Sequence, residues 1–512
     1  MATTTEKLAL SLEALRALQK KGDSVIKANQ LSRTNRERLL SNGFIKSVLK
    51  GWYIPSRPDE STGDSTSWTA SYWNFCGVYL NDRFGKNWWL SAEQSIALHA
   101  GNWVIPHQLI VKSSNGKNNK TNLLFDTSIF DMKTPLTDDI EVEVIDNVRV
   151  LSLSMAIIHC SPSTFSQSPI EMRTALAQVK DASDLLTTLL NKGHSVIAGR
   201  LAGAFRNIGN VRIANDIMSA MKAADYDVRE HDPFKEISPP IFDSMEKSPY
   251  VNRIRMLWHE MRKEVLPHLP EPKGLPKNKT EFLKQIDDLF VTDAYHSLSI
   301  EGYQVSEELI EKVRSGSWSP ETDERDLEQK NAMAARGYYE AFQSVKQSIE
   351  KIINGQNPAE VVDYDHGEWY RALFAPSVAS GLVKPSDLAG YRNRPVYIKN
   401  SKHVPLSKEA VRDTMPALFD LLANEENVAV RAVLGHFIFV YIHPYIDGNG
   451  RIARFLMNTM LTSGGYPWTI IKVDDRKKYM EAIESASVDK DIQPFAEFVG
   501  EAVKASMNRA YL

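Results

Sequence analysis

Between residues 443 and 454 the chain reads His-Pro-Tyr-Ile-Asp-Gly-Asn-Gly-Arg-Ile-Ala-Arg. Among these groups only His443 has an ordinary pKa near neutrality, which makes it the natural general base. Asp447 is a hard oxygen ligand, suited to a magnesium ion that also binds phosphate oxygens. Gly448, Asn449 and Gly450 form a small-residue loop of the kind that cradles an anion on free N–H groups. Arg451 and Arg454, three residues apart, share one face of a helix and can both reach bound phosphates. A base, a metal carboxylate, an anion loop and two arginines are the parts needed to move a piece of a nucleoside triphosphate onto a hydroxyl group.

Two elements must hold these groups in place. Upstream, residues 430–442 carry Val433, Phe437, Val440 and Tyr441 at helical spacing, so His443 falls at the end of a buried helix. Pro444 stops that helix, because it lacks an N–H and clashes with the preceding turn. Downstream, Ile452, Phe455, Leu456, Thr459 and Met460 form a second helical stripe that closes at Gly464-Gly465. The loop therefore feeds a helix N-terminus, where the dipole favours an anion. A plain helical hairpin with a Gly/Asn turn would look similar locally. Eight specified positions in twelve residues, at roughly 5% usage each, make a chance match on the order of 10⁻¹⁰.

The run resembles the signature of the Fic (filamentation induced by cAMP) family, His-Pro-Phe-x-Asp/Glu-Gly-Asn-Gly-Arg-x-x-Arg, with Tyr445 in place of the usual Phe. Gly390-Tyr391-Arg392, followed by Val396-Tyr397-Ile398 and Val404-Pro405, is similar to the family's flap hairpin, with Asn400-Ser401 near its turn. Gly465-Tyr466-Pro467, with Tyr479 and Ala482, resembles the region that lines the adenine pocket. The resemblance covers 250–512 and implies an all-α core carrying a β-hairpin flap. It implies an enzyme, a protein adenylyltransferase, with ATP as substrate and Mg2+ as cofactor. His443 would deprotonate a Ser, Thr or Tyr hydroxyl of a target protein, which attacks the α-phosphate of ATP and releases pyrophosphate. Asp447 would hold magnesium between the α- and β-phosphates. Gly448, Asn449 and Gly450 would cradle the phosphates, with Asn449 on the α-phosphate, and Arg451 and Arg454 would hold the β- and γ-phosphates. Tyr479 would face the nucleotide. The flap at Val396, Tyr397 and Ile398 would hold the target by adding a strand, a mode that reads shape more than sequence.

Ser297-Leu298-Ser299-Ile300-Glu301-Gly302 resembles the family's inhibitory pattern Ser/Thr-x-x-x-Glu-Gly/Asn, in the subclass whose inhibitory helix precedes the core, here near 281–302. That resemblance implies that Glu301 pairs with Arg454 and blocks the γ-phosphate, with Ser297 steadying the helix. Holding about 99% of molecules closed needs only about 2.7 kcal/mol, within reach of one charge-assisted pair in a dry pocket. The same Glu301 could serve AMP removal, which the sequence leaves open.

A chain of 512 residues implies two to four domains. Two cysteines, Cys76 and Cys160, fit a reducing compartment and exclude a disulfide framework or zinc cluster. No run reaches the apolar length of a membrane span, and Glu13 and Arg16 make residues 8–18 an amphipathic helix and not a signal peptide, so a cytoplasmic protein is expected. Residues 1–57 hold eleven Lys/Arg against four Asp/Glu, a local +7 in a chain of net charge −3. Helices at 5–19, 25–28 and 32–41, then a hairpin over 44–54, give the winged-helix order. Arg33, Arg36 and Arg38 on the third helix make DNA a candidate partner. Residues 58–232 read as a regulatory α+β domain, with a helix at 91–101, strands at 104–112, 122–125 and 140–150, and helices at 172–190 and 194–208. With the winged helix they resemble the AbiEi-like antitoxins of abortive-infection type IV systems, in Lys50-Gly51-Trp52-Tyr53 and Ser91-Ala92. Pro-rich stretches at 233–249 and 266–276 mark the junction to the catalytic half.

Two other functions stay open on sequence alone. One is a DNA-binding regulator that uses the C-terminal half as a nucleotide sensor. The other is a Fic enzyme that transfers a different phosphate-containing group.

Overall fold

A computed structural model describes the chain except residues 1–2, 21–23, 62, 136, 138–139, 235–247, 276, 319–325 and 510–512. It divides into two compact units: Met1–Arg253 with Tyr397–Val404, and Ile254–Val396 with Pro405–Leu512. No described helix is long and apolar enough to cross a membrane.

The first unit opens with helix Thr4–Lys20, strand Ile26–Lys27, a 3-10 turn over Ala28–Gln30, helix Arg33–Ser41 and strands Ile45–Leu49 and Trp52–Pro55. Trp52–Pro55 is central in a three-stranded antiparallel sheet. The short helix expected at 25–28 is instead that strand and 3-10 turn, because β-branched Val25 and Ile26 are buried and Ile26 pairs with Tyr53. Ser32 caps the helix Arg33–Ser41 by accepting from the Asn35 N–H at 3.2 Å. Leu15, Ile26, Leu31, Leu39 and Ile45 form its small core.

A four-stranded sheet follows, ordered Trp88–Leu90, Gln108–Ser113, Ser128–Lys133, Asn119–Asn122, beside the hairpin Val142–Ile145/Val148–Leu151. The single strand expected at 140–150 is this hairpin, turned by Asp146 and Asn147 at φ +45° and +68°. Short polar side chains tolerate that left-handed conformation. The strand expected at 122–125 lies earlier, at Asn119–Asn122, and Phe125 and Asp126 form a left-handed turn. The helix expected at 172–190 is two helices, Pro169–Ala177 and Ser183–Lys192. Residues 235–247 of the first Pro-rich stretch lie outside the described residues.

The second unit is helical. Helices Asp326–Ile353 and Pro358–Ala379 pack along one another, and Asn449–Ser463 packs on both and on Val428–Ile442. Of the 15 residues of Val428–Ile442, all but Val428 and Arg431 are buried, so this helix is apolar on all sides and forms the centre of the unit. The inhibitory region expected near 281–302 is two helices, Lys279–Asp288 and Phe290–Ile300.

The hairpin expected over 394–405 is not paired as strands. The turn is present: Ser401 N–H donates to Ile398 O at 3.2 Å, and Asn400 sits at φ +59°. Two carbonyls beside the turn bond within the first unit instead. Thr69 Oγ1 donates to Ser401 O at 3.2 Å, and Ile105 N–H donates to Lys402 O at 3.3 Å. Pro395 and Pro405 have no N–H to give.

Candidate active site

His443 ends helix Val428–Ile442 in a left-handed conformation, φ +55° and ψ 60°, which a bulky residue rarely adopts. Such strain persists where the surroundings impose it, and here they do. Arg392, 1% exposed, donates from Nε to His443 O at 2.7 Å and from Nη2 to Leu406 O, while its own N–H donates to Pro444 O at 2.9 Å. A buried guanidinium thus clamps the turn that carries the base. The ring Nδ1 lies 3.2 Å from Val440 O, which fixes Nδ1 as the protonated nitrogen and leaves Nε2 as the free base. Burial pushes the imidazole down to about 4, against the pull of that carbonyl, so His443 is neutral at pH 7.

The loop behind the histidine is closed on itself. Asn449 accepts from Tyr445 N–H and donates to Tyr445 O, both at 2.9 Å. The amide oxygen and one of its two N–H groups thus close the loop, and Asn449 is a buried loop staple. Tyr445 stacks on Tyr370 at 3.9 Å between ring centroids, so the residue that departs from the usual Phe keeps a packing role. Gly448 sits at φ +80°, and a Cβ there would lie 2.8 Å from the Phe374 ring. Backbone conformation and space both demand glycine. Helix Asn449–Ser463 begins here, and its first-turn N–H groups have no partner within the helix.

Asp447 is exposed. It accepts from Gly448 N–H at 2.6 Å and lies 3.4 Å from Arg451 Nη2. Among the described residues no group of three His, Cys, Asp or Glu side chains converges on a metal position. A lone exposed carboxylate fits magnesium, which keeps waters and takes its other ligands from phosphates, better than an ion needing a full protein cage.

Arg451 and Arg454 are both buried. Arg454 donates from Nε to Ser297 Oγ at 3.0 Å, and from Nη2 to Ser297 O at 3.0 Å and Glu301 Oε1 at 2.8 Å. Burial opposes its charge, yet Glu301 and the phenols of Tyr479 and Tyr338 hold its pKa above the ordinary value. Arg451 lies under two rings, 5.3 Å from Tyr303 and 5.0 Å from Phe374, contacts worth about 0.5–2 kcal/mol each. Two buried donors stay without a partner, Nε of Arg451 and Nη1 of Arg454. A Cβ at Gly450 would lie 2.6 Å from Glu301 Oε1, so the carboxylate sits directly over the Gly448-Asn449-Gly450 loop.

Several groups here escaped the sequence reading. Arg392 entered only through the flap-like run Gly390-Tyr391-Arg392, and nothing in the sequence around it marks its clamp. Asp293 on helix Phe290–Ile300 accepts from Tyr338 OH at 2.7 Å, and burial raises its carboxyl to about 6. Arg476 donates to Ile300 O at 2.6 Å at the end of that helix. Tyr303 was one residue beyond the quoted inhibitory pattern. Tyr479, expected to face the nucleotide, is 2% exposed and bonded to His436 Nε2 at 2.8 Å, with Phe495 and Phe498 on its ring. Tyr466 is likewise buried, donating to Pro270 O at 2.6 Å. Gly302, at φ +90°, turns the chain out of helix Phe290–Ile300. Val396 and Ile398 are half-buried and Tyr397 is exposed.

In the first unit, the three arginines expected to face DNA are engaged within the chain. Arg33 pairs with Glu37 at 2.7 Å, Arg36 donates to Ala28 O at 2.7 Å, and Arg38 donates to Lys7 O at 2.7 Å and to Ser11 Oγ at 2.9 Å.

The Fic/DOC family model matches residues 366–461. Protein adenylyltransferase Fic of Nematostella vectensis is 38% identical over 136 residues, 26% of this chain and 31% of that protein. Protein adenylyltransferase fic-1 of Caenorhabditis elegans is 31% identical over 133 residues, 25% of this chain and 26% of that protein. The chain thus spans about a third or less of these relatives. The solved Fic-1 fragment 134–508 from C. elegans is similar at 20% identity and TM-score 0.37, over 68% of this chain and 98% of that one.

Proposed function

We propose that this chain, through its Fic domain, is a protein adenylyltransferase restrained by its own Glu301. One observation carries the reading. Two buried arginines at the start of one helix keep unpartnered N–H donors beside a loop that only glycine can build. Buried donors left bare are costly, and a polyphosphate supplies the missing acceptors. His443, neutral with Nε2 free, takes the proton from an acceptor hydroxyl on a target protein. The hydroxyl oxygen bonds to the α-phosphorus of ATP as the bond to the pyrophosphate oxygen breaks. Magnesium, held by Asp447 and phosphate oxygens, supplies charge neutralisation when bound. Arg451 and Arg454 orient the leaving phosphates, and positioning with charge stabilisation supplies most of the rate.

Glu301 occupies the Arg454 donor that the outermost phosphate needs, which accounts for a restrained ground state. The flap at 396–398 docks the target in this reading. Residues 1–57 are read as a winged helix on the strength of their helix–strand–helix–hairpin order, and residues 58–232 as a regulatory α+β domain. The internal engagement of Arg33, Arg36 and Arg38 gives no support to a DNA-facing surface. The reading places the protein in the cytoplasm.

The test is transfer from α-labelled ATP with magnesium by wild type, Glu301→Gly and Glu301→Gly with His443→Ala. Strong labelling in Glu301→Gly alone is expected. Loss of a general base typically lowers rates about 10²–10⁴-fold. Equal labelling with and without His443 would defeat the mechanism, and label from the γ-phosphate would mark a different transferred group.

A further inference from the structure

Arg454 is the motif arginine that Glu301 restrains, but the structure gives Arg451 a restraint of its own. Its guanidinium is 1% exposed. Nε has no partner, and its ion-pair partner is the exposed Asp447 at 3.4 Å. A phosphate cannot reach a group so enclosed until something moves. Besides the charges of Glu301 and Arg454, its neighbours are Asp447, Phe374 and Tyr303. Asp447 is exposed, so it leaves the approach open. Phe374 belongs to the long helix Pro358–Ala379, packed along Asp326–Ile353, and forms part of the fixed scaffold.

Tyr303 is different. It lies two residues beyond Glu301, past the left-handed Gly302, outside helix Phe290–Ile300. Its N–H donates to Leu298 O at 3.1 Å, which ties its position to the end of that helix. The turn places Glu301 on Arg454 and the Tyr303 ring on Arg451 at once. We propose that Tyr303 is a second element of the brake, a ring cap that withholds Arg451 from nucleotide phosphates while Glu301 withholds Arg454. Displacement of one short turn then frees both arginines together. The inference rests on the nucleotide-site reading above.

The experiment is calorimetric binding, in full-length protein with magnesium, of an ATP analogue whose α- and β-phosphorus atoms are bridged by methylene. It needs neither a target nor catalysis. Parent, Glu301→Gly, Tyr303→Ala, Tyr303→Ser and Tyr303→Phe are compared, with thermal unfolding as the check on folding. Tyr303→Ala and Tyr303→Ser are expected to bind about threefold to thirtyfold tighter than the parent, the range one ring-on-cation contact represents. Tyr303→Phe keeps the ring but loses the hydroxyl that also interacts with Arg451, and should bind between the parent and Tyr303→Ala. In the Glu301→Gly background, Tyr303→Ala should lower KM for ATP and leave kcat nearly unchanged. Unchanged or weaker binding by both Tyr303→Ala and Tyr303→Ser, with tighter binding by Glu301→Gly, would overturn the cap and leave the site reading intact. Absence of binding by Glu301→Gly as well would overturn the site reading, and the cap with it.

Discussion

Glu301 Oε1 accepts a hydrogen bond from Arg454 Nη2 at 2.8 Å, while Ser297, one helical turn earlier, takes Arg454 Nε and Nη2 at 3.0 Å each. One arginine is thus gripped at two points by a segment 153 residues away in sequence. The Glu301 side chain is 30% exposed, so solvent weakens the ion pair, and the grip depends on the neutral contacts as well.

Ser297→Ala should therefore release the restraint only in part. It removes one hydrogen bond to a charged donor, about 1.5–3 kcal/mol, and leaves Ser297 O and Glu301 in place. Labelling from α-labelled ATP should fall between wild type and Glu301→Gly. A rate equal to wild type would remove Ser297 from the brake.

Arg392→Met should destabilise the fold by about 2–5 kcal/mol, because it strips buried carbonyls of a charged donor. Chemical denaturation measures this directly. Because the clamp also fixes the His443 turn, any variant that stays folded should lose kcat more than its affinity for nucleotide. A near-native denaturation midpoint would contradict the clamp.

Stability should fall as pH drops from about 6.5 towards 4. His443 and His436 are driven by burial to about 4 and about 3, below the ordinary value near 6.5. The unfolded chain therefore binds more protons in that window, and protonation favours it. Asp293 works in the opposite direction. Its carboxyl, raised to about 6 by burial, makes the fold lose stability as pH rises from about 3.9 to 6. Asp293→Asn should thus steepen the acid-side fall of Tm measured by calorimetry, and a shallower slope would reverse the assignment.

Arg38→Ala should lower stability by about 1 kcal/mol, since Arg38 links helix Arg33–Ser41 to Lys7 and Ser11. Unfolding followed with the full chain tests it. A duplex-DNA shift assay on the same variant separates structure from recognition: tight, salt-dependent binding by wild type that Arg38→Ala abolishes without loss of stability would restore the DNA-facing role.

The sequence by itself brought His443, Asp447, Arg451 and Arg454 together, because those groups are contiguous and local rules of helix ends, proline and glycine fix their backbone. Periodicity alone sufficed for the helices on either side, for the helix at Arg33–Ser41 and for the hairpin after it. It failed where tertiary contacts compete with local preference. Past the flap turn, Ser401 O and Lys402 O accept from Thr69 and Ile105, and Tyr479 turns inward to His436. The Asn449 side chain closes its own loop on Tyr445. Likewise the enclosure of Arg451 by Tyr303 and Phe374, and the hold of Arg392 on His443, join residues 51 to 148 positions apart. No spacing rule reaches across such distances. Those pairings arise only when helices pack and buried polar groups must each find a partner, and that condition belongs to the folded chain as a whole.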